Sequence, residues 1–233
     1  MSYLGHVALS WSLTLLIALG FLLTECQSKP AHAGSLYLEG GGGGTIFQQT
    51  SIDGLWHQKY FPNGWDLHDT AFRLGARYDW EHWGLSAAMV SLGTIKVKDA
   101  GFVGDEHYDP VHHICTASCD KLSWLQATDQ VRAYEVLLSY RWWFGEVAPF
   151  IGVGPALLTH RFTVTNSGSS QELYGRLPAI AGRAGICYGT GLQVCLDSTF
   201  YNPVKGVRWF GEPWYPLFEN ALVNMFTLRI PIN

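Results

Sequence analysis

Charge is scarce in this chain. Asp, Glu, Lys and Arg make up 15% of its 233 residues, against about 25% in an average soluble domain, so an ordinary water-facing surface is hard to build from it. There is no cationic excess either. The formal net charge is −4, which leaves no basic footprint and argues against a nucleic-acid partner. No Gly-x-Ser-x-Gly elbow is present to hold a serine nucleophile. The stretch Glu106-His107-Tyr108-Asp109-Pro110-Val111-His112-His113-Ile114-Cys115, followed by Cys119-Asp120, has metal-binding residue types but matches no zinc spacing. No metal and no cofactor is therefore expected. What the chain does have is rings and glycine: 14% aromatic residues, including ten Trp and eleven Tyr, and 26 Gly. That mixture suits strands that face lipid on one side.

An uncharged apolar run covers residues 7–24 and is followed by Ala31-His32-Ala33, an A-x-A signature of signal-peptide cleavage. Residues 1–33 are expected to be a signal peptide that is removed, and 34–233 the mature domain. A retained anchor is the rival reading, because no Lys or Arg precedes the run and the run is long for a signal peptide. Glu25 stands where a lipoprotein box before Cys26 wants a small residue, which argues against lipidation. Cleavage removes Cys26 and leaves Cys115, Cys119, Cys187 and Cys195, an even number that favours disulfides in an exported chain.

The joins between strand-like stretches alternate in length. Three are short: Glu81-His82-Trp83, Phe144-Gly145-Glu146 and Gly189-Thr190-Gly191. Between them lie long polar joins at about residues 47–65, 99–127, 165–174 and 202–220. The rhythm predicts an all-β fold: an eight-stranded antiparallel up-and-down transmembrane β-barrel with short periplasmic turns and long extracellular loops. Odd and even positions divide accordingly. Across residues 69–80, Phe72, Leu74, Tyr78 and Trp80 oppose Asp69, Arg73, Arg77 and Asp79. The stretches 133–142, 183–188, 192–201 and the last strand divide in the same way, whereas 85–98 alternates poorly. The five glycines Gly40–Gly44 blur the first strand. Trp80, Trp83, Trp142, Trp143 and Tyr188 cluster at the short turns, where an interfacial aromatic belt belongs.

The inward faces then collect Glu39, Asp69, Arg73, Arg77, Asp79, Glu135, Arg141, Arg183, Asp197 and Arg229. An eight-stranded bore is filled by side chains, and buried charges must pair, so a salt-bridge network filling the lumen is expected rather than an open pore. Cys187 and Cys195 flank Gly191 symmetrically. A three-residue turn sets them opposite each other, and another turn type separates them. Cys115 and Cys119 close a tight loop more simply as a disulfide than as metal ligands. Ser198, His160 and Glu172 or Glu212 are the nearest approach to a catalytic set, but nothing in the sequence makes them converge. No His-x-Ser-Asn stretch of the kind associated with lipid A deacylase barrels is present.

The loop rhythm, the turn-edge tryptophans and the segment Arg141-Trp142-Trp143-Phe144-Gly145-Glu146-Val147-Ala148-Pro149-Phe150-Ile151-Gly152-Val153-Gly154 together resemble the small eight-stranded outer membrane β-barrel family, which includes outer membrane protein A-like barrel domains. The resemblance covers about residues 35–232 and implies roles in membrane integrity, adhesion or small-solute passage. It supplies no catalytic residues. The chain departs from the family in ending Leu228-Arg229-Ile230-Pro231-Ile232-Asn233 rather than on an aromatic residue. The expected function is a non-enzymatic integral outer-membrane protein with a structural or surface-interaction role. Its partners are membrane lipid and, through loop aromatics such as Trp56, Tyr60, Phe61, Trp65, Trp124, Trp209, Trp214 and Tyr215, a surface ligand or glycan. A lipid-modifying enzyme and a soluble lipocalin-like ligand-binding barrel are the alternatives.

Overall fold

The computed structural model of the chain describes residues 34–49, 65–97, 101–103, 108–109, 114–115, 123–166, 169–204 and 218–232. Eight long strands follow one another: β1 (Ser35–Gln49), β2 (His68–Trp80), β3 (Trp83–Val97), β4 (Ser123–Arg141), β5 (Val147–Asn166), β6 (Ser169–Tyr188), β7 (Gln193–Pro203) and β8 (Phe218–Ile232). Each runs antiparallel to the next. β8 returns to β1 from Leu36↔Ile232 to Phe47↔Ala221, so the sheet closes on itself. Closure pairs the backbone groups that lipid cannot satisfy. Short pieces at Trp65–Asp66 and Gly101–Val103 extend the sheet, and Tyr108–Asp109 pairs with Ile114–Cys115 separately.

The bore follows from the stagger. Stepping round by paired residues from Gly42 through Phe72, Ser91 and Arg132 arrives on β5 at Thr159. The opposite route, through Phe226, Leu196 and Ile186, arrives at Pro149. The two meeting points lie ten residues apart. Strands so staggered tilt strongly, and eight of them enclose only enough room for side chains.

Alternation sorts the two faces. Leu36, Leu38, Phe72, Leu74, Leu85, Met89, Val136, Leu138, Ile151, Val153, Ile186, Val194, Leu196, Phe226, Leu228 and Ile230 all point outward and are exposed. A continuous apolar belt of this extent is far beyond what a water-soluble surface tolerates. With a closed sheet behind it, the molecule is a transmembrane barrel. At the short-turn end the belt finishes in rings. Tyr78 stacks on Trp80, and Tyr140 meets Trp83 and Trp142 edge-on at 5.0 and 5.1 Å. Tyr188 is 61% exposed, with its hydroxyl hydrogen-bonded to Glu146. Trp143 departs from the expected belt. It is buried in the lumen with Phe150, Cys187 and Cys195, beneath the Arg141 guanidinium at 4.9 Å. Two consecutive tryptophans on extended backbone point to opposite faces, so only Trp142 can join the belt.

The join expected at 165–174 is mostly strand. β5 and β6 are 20 residues each and stay paired up to Asn166↔Ser169. Their outer halves lie beyond the apolar belt, so the polar composition of this stretch reflects exposure rather than a loop. β4 likewise begins at Ser123, before the expected end of the second long join. The poor alternation across 85–98 has a local cause. The pairing of β3 with β4 shifts between Ser91 and Gly93, a β-bulge that exchanges the faces beyond it. Gly93 has φ of +91°, and a side chain there would collide with Asp69.

At the third short turn Cys187 pairs with Cys195 across the ladder, and a disulfide joins them. Replacing both cysteines by serine should lower stability by about 2 kcal/mol, because the bond closes only a short loop. Urea unfolding of the folded barrel in micelles, with and without reductant, measures this. Wild type should fall to the variant's midpoint on reduction, and a variant indifferent to reductant is the control. Cys119, Glu212 and the candidate residues of segments 1–33, 50–64 and 205–217 lie outside the described residues, as do the side chains of Trp65, Cys115 and Trp124.

Candidate functional site

The lumen holds the chemistry, in two strata. The lower stratum, toward the short turns, is charged. Glu39 on β1 is shared: Arg229 Nε donates to it at 2.6 Å and Arg183 Nη1 at 3.3 Å. Arg183 on β6 also grips Asp197 on β7 with two bonds of 2.9 and 2.8 Å. The Thr227 hydroxyl donates to the same carboxylate at 2.7 Å. On the opposite wall Arg73 pairs with Glu135 at 3.0 Å and donates to Thr199. The Tyr201 hydroxyl donates to the other oxygen of Glu135. Nearest the turns, Asp79 accepts from Arg77 and from Arg141, each at 2.6 Å. These side chains are 4% exposed or less.

Nine of the ten expected charges therefore meet in pairs, and Asp69 does not join them. Its carboxylate accepts the Thr94 and Thr70 backbone N–H groups at 2.6 and 2.7 Å. It closes off the bulge at Gly93, at the far end of β2. The cluster is left with five guanidiniums and four carboxylates. Phe150 compensates for part of that imbalance: Arg229, Arg183 and Arg77 lie over its ring at 4.9, 5.5 and 5.9 Å. A ring face attracts cations, more strongly where water is excluded. Arg229 also donates to the Cys187 sulfur.

The upper stratum is apolar, which the expectation of a lumen filled by salt bridges did not include. Phe47, Val90, Leu92, Ile95, Val131, Leu158, Phe218, Val223 and Met225 pack there with Tyr201 and several alanines, nearly all without exposure. Above the belt lipid no longer demands apolar residues outside, so the periodicity that marks the lumen weakens. At this level His160 Nδ1 meets Asp129 Oδ2 at 2.9 Å, and the imidazole stacks on Phe218. Ser198 is on the other side of the wall, hydrogen-bonded to Asn224 at 2.6 Å and exposed. Glu172 is outside too, paired with Arg161 at 2.5 Å. The hydrogen bond from Arg161, with a second from Tyr174, holds its carboxyl below the usual carboxylate range. The wall of the barrel thus separates Ser198 and Glu172 from His160. Among the described residues no group of three metal-ligating side chains occurs.

Sequence reasoning missed Phe150, Tyr201, Thr199 and Thr227. A signal for Phe150 existed: it alternates away from Ile151 and Val153, so it had to face the charges. Thr199 and Thr227 share the parity of Asp197 and Arg229, so alternation put them on the charged face, but it did not say which carboxylate each hydroxyl would serve.

No protein-family model matches the chain, and no characterised protein matches it by sequence. Solved structures similar to it include Ail, the attachment invasion locus protein of Yersinia pestis, in complex with the heparin analogue sucrose octasulfate. That match has 13% identity and a TM-score of 0.43, and covers 85% of this chain and 97% of that one. Neisserial surface protein A is 10% identical with a TM-score of 0.49, covering 84% and 97%. The N-terminal β-barrel domain of Pseudomonas aeruginosa OprF is 9% identical with a TM-score of 0.39, covering 85% and 99%.

Proposed function

We propose that the chain is a non-enzymatic integral outer-membrane protein whose lumen is sealed, acting in envelope structure or through its long joins at the cell surface. The observation that carries this reading is the inversion of polarity: apolar side chains outside, and paired charges beneath an apolar layer inside. A lipocalin-like barrel needs the reverse, with an apolar cavity open to a ligand and a wet exterior. The separation of Ser198 from His160 weighs against hydrolysis. Export through residues 1–33 and exposure of the long joins on the outer side belong to the same proposal. So does recognition of a glycan by the aromatic residues of those joins.

The test is reconstitution. The purified protein should run faster unboiled than boiled on a gel, as closed barrels do, and fractionate with the outer membrane. In planar bilayers it should give no sustained conductance steps. Stable, voltage-independent channels would overturn the sealed-lumen reading and reopen the question of an ion path along the arginines. A soluble protein in the periplasm would overturn the membrane reading itself.

A further inference from the structure

Above the apolar belt the outer wall carries cations on one side. Arg132 on β4 is paired across the ladder with Thr159 on β5, and Thr159 with Arg176 on β6. These three residues form one outward row. Arg161 stands one outward position higher on β5. All three arginines are exposed. Paired strands are about 4.8 Å apart, so the Arg132 and Arg176 backbones lie roughly 10 Å from each other. On the outward rim of β4, β5 and β6 the only carboxylate among the described residues is Glu172, which is taken up by Arg161 and Tyr174. Arg132 and Arg176 have no ion-pair partner among the described residues.

Directly beneath this row is a groove of about 580 Å³ in the lipid-facing wall. Leu74, Ala87, Met89, Tyr134, Pro155 and Leu157 are among the residues that line it. Tyr134 and Leu157 are the next outward residues below Arg132 and Thr159, so the groove opens straight onto the arginine row. The β4–β5 ladder skips Val136 and Leu137, pairing Glu135 with Ala156 and then Leu138 with Val153, where Pro155 has no N–H to give. The groove spans four strands, about 14 Å, which is wide for a single acyl chain.

From this juxtaposition we infer that the β2–β6 wall binds one lipid specifically: a phosphorylated, multi-acyl glycolipid of the leaflet on the long-join side. Its phosphates are held by Arg132 and Arg176, and its chains lie in the groove over Pro155. Phosphate matches guanidinium in charge and in paired hydrogen-bond geometry. Arg161, held by Glu172, borders the site and leaves the other two free. This inference rests on the outer-membrane reading, since only a barrel in lipid presents this wall to acyl chains.

The test uses the full chain in phosphatidylcholine nanodiscs doped with bis-phosphorylated hexa-acyl lipid A, with its dephosphorylated form, or with phosphatidylglycerol. Native mass spectrometry after release into mild detergent counts the retained lipid. Wild type should retain the bis-phosphorylated lipid and discriminate against the other two. The double variant R132Q/R176Q should retain roughly thirtyfold less, given about five- to sixfold per interfacial cation. A87W, which fills the groove and leaves the arginines intact, should also lose retention. All three residues point outward from the barrel, and faster migration of the unboiled protein checks that the barrel has formed. Undiminished retention by R132Q/R176Q, or equal retention of phosphatidylglycerol, would overturn the assignment. Failure of wild type to enter the bilayer would instead overturn the outer-membrane reading beneath it.

Discussion

Replacing Glu39 by glutamine should cost the barrel about 3–5 kcal/mol, the range for breaking a buried ion pair from one side. Replacing Arg229 by methionine should cost clearly less. The asymmetry comes from the count of charges in the lower stratum. Five arginines face four carboxylates, and Glu39 is shared by two of the arginines. Neutralising it leaves Arg229 without a carboxylate in hydrogen-bond reach and raises the uncompensated positive charge. Removing Arg229 equalises the two signs and leaves Glu39 paired with Arg183. Methionine keeps much of the packed volume against Phe150, and an apolar replacement of a buried ion is often tolerated. Urea midpoints in micelles, with refolded and unboiled migration as the second readout, decide the question. Equal losses, or a larger loss for Arg229→Met, would show that local packing and not charge balance governs this cluster.

The lower half of the molecule was legible in the sequence because lipid imposes a strict rule. Along Asp69–Trp80 every second residue must be apolar outside, so Arg73, Arg77 and Asp79 had nowhere to go but inward. The same rule found Glu135, Arg183, Asp197 and Arg229, and it put Cys187 and Cys195 on one face, whereas their pairing depended on the turn. It fails where lipid ends. Beyond Leu157 and Pro178 the exterior is polar and the lumen apolar, so Leu158 and Arg161 read like any water-facing sheet. The outer half of the β5–β6 hairpin therefore looked like a loop. Asp69 was misplaced for a different reason. Its parity is correct, but it sits at the end of β2 opposite a bulge, and a bulge announces itself in sequence only as a glycine among many. Trp143 shows the limit of clustering as a guide: proximity to a turn does not say which face a ring takes, whereas alternation does.

A valine at Gly43 should prevent the barrel from closing, while a valine one residue earlier, at Gly42, should be accepted. The two positions differ only in face. Gly43 shares the lumen side with Glu39, Thr45 and Phe47. A Cβ built there would overlap the Asn224 carbonyl and come within 2.8 Å of Met225 Cα on β8. Those are backbone atoms, and no rotamer change relieves the clash. They also belong to the seam where the last strand meets the first, so moving them apart opens the barrel. A Cβ at Gly42 points to lipid and finds the Phe72 ring at 3.9 Å and the Ala71 carbonyl oxygen at 4.0 Å, both ordinary contacts. There a β-branched side chain removes the entropic cost of glycine in a strand, about 0.5–1 kcal/mol, and fits strand geometry. Gly43→Val should yield no fast-migrating unboiled species and full sensitivity to added protease. Gly42→Val should match wild type or unfold at slightly higher urea. If both variants fold alike, the seam has more room than its backbone geometry allows. In that case the run Gly40–Gly44 needs an explanation on its lipid side, where Gly40 meets nothing within 4 Å.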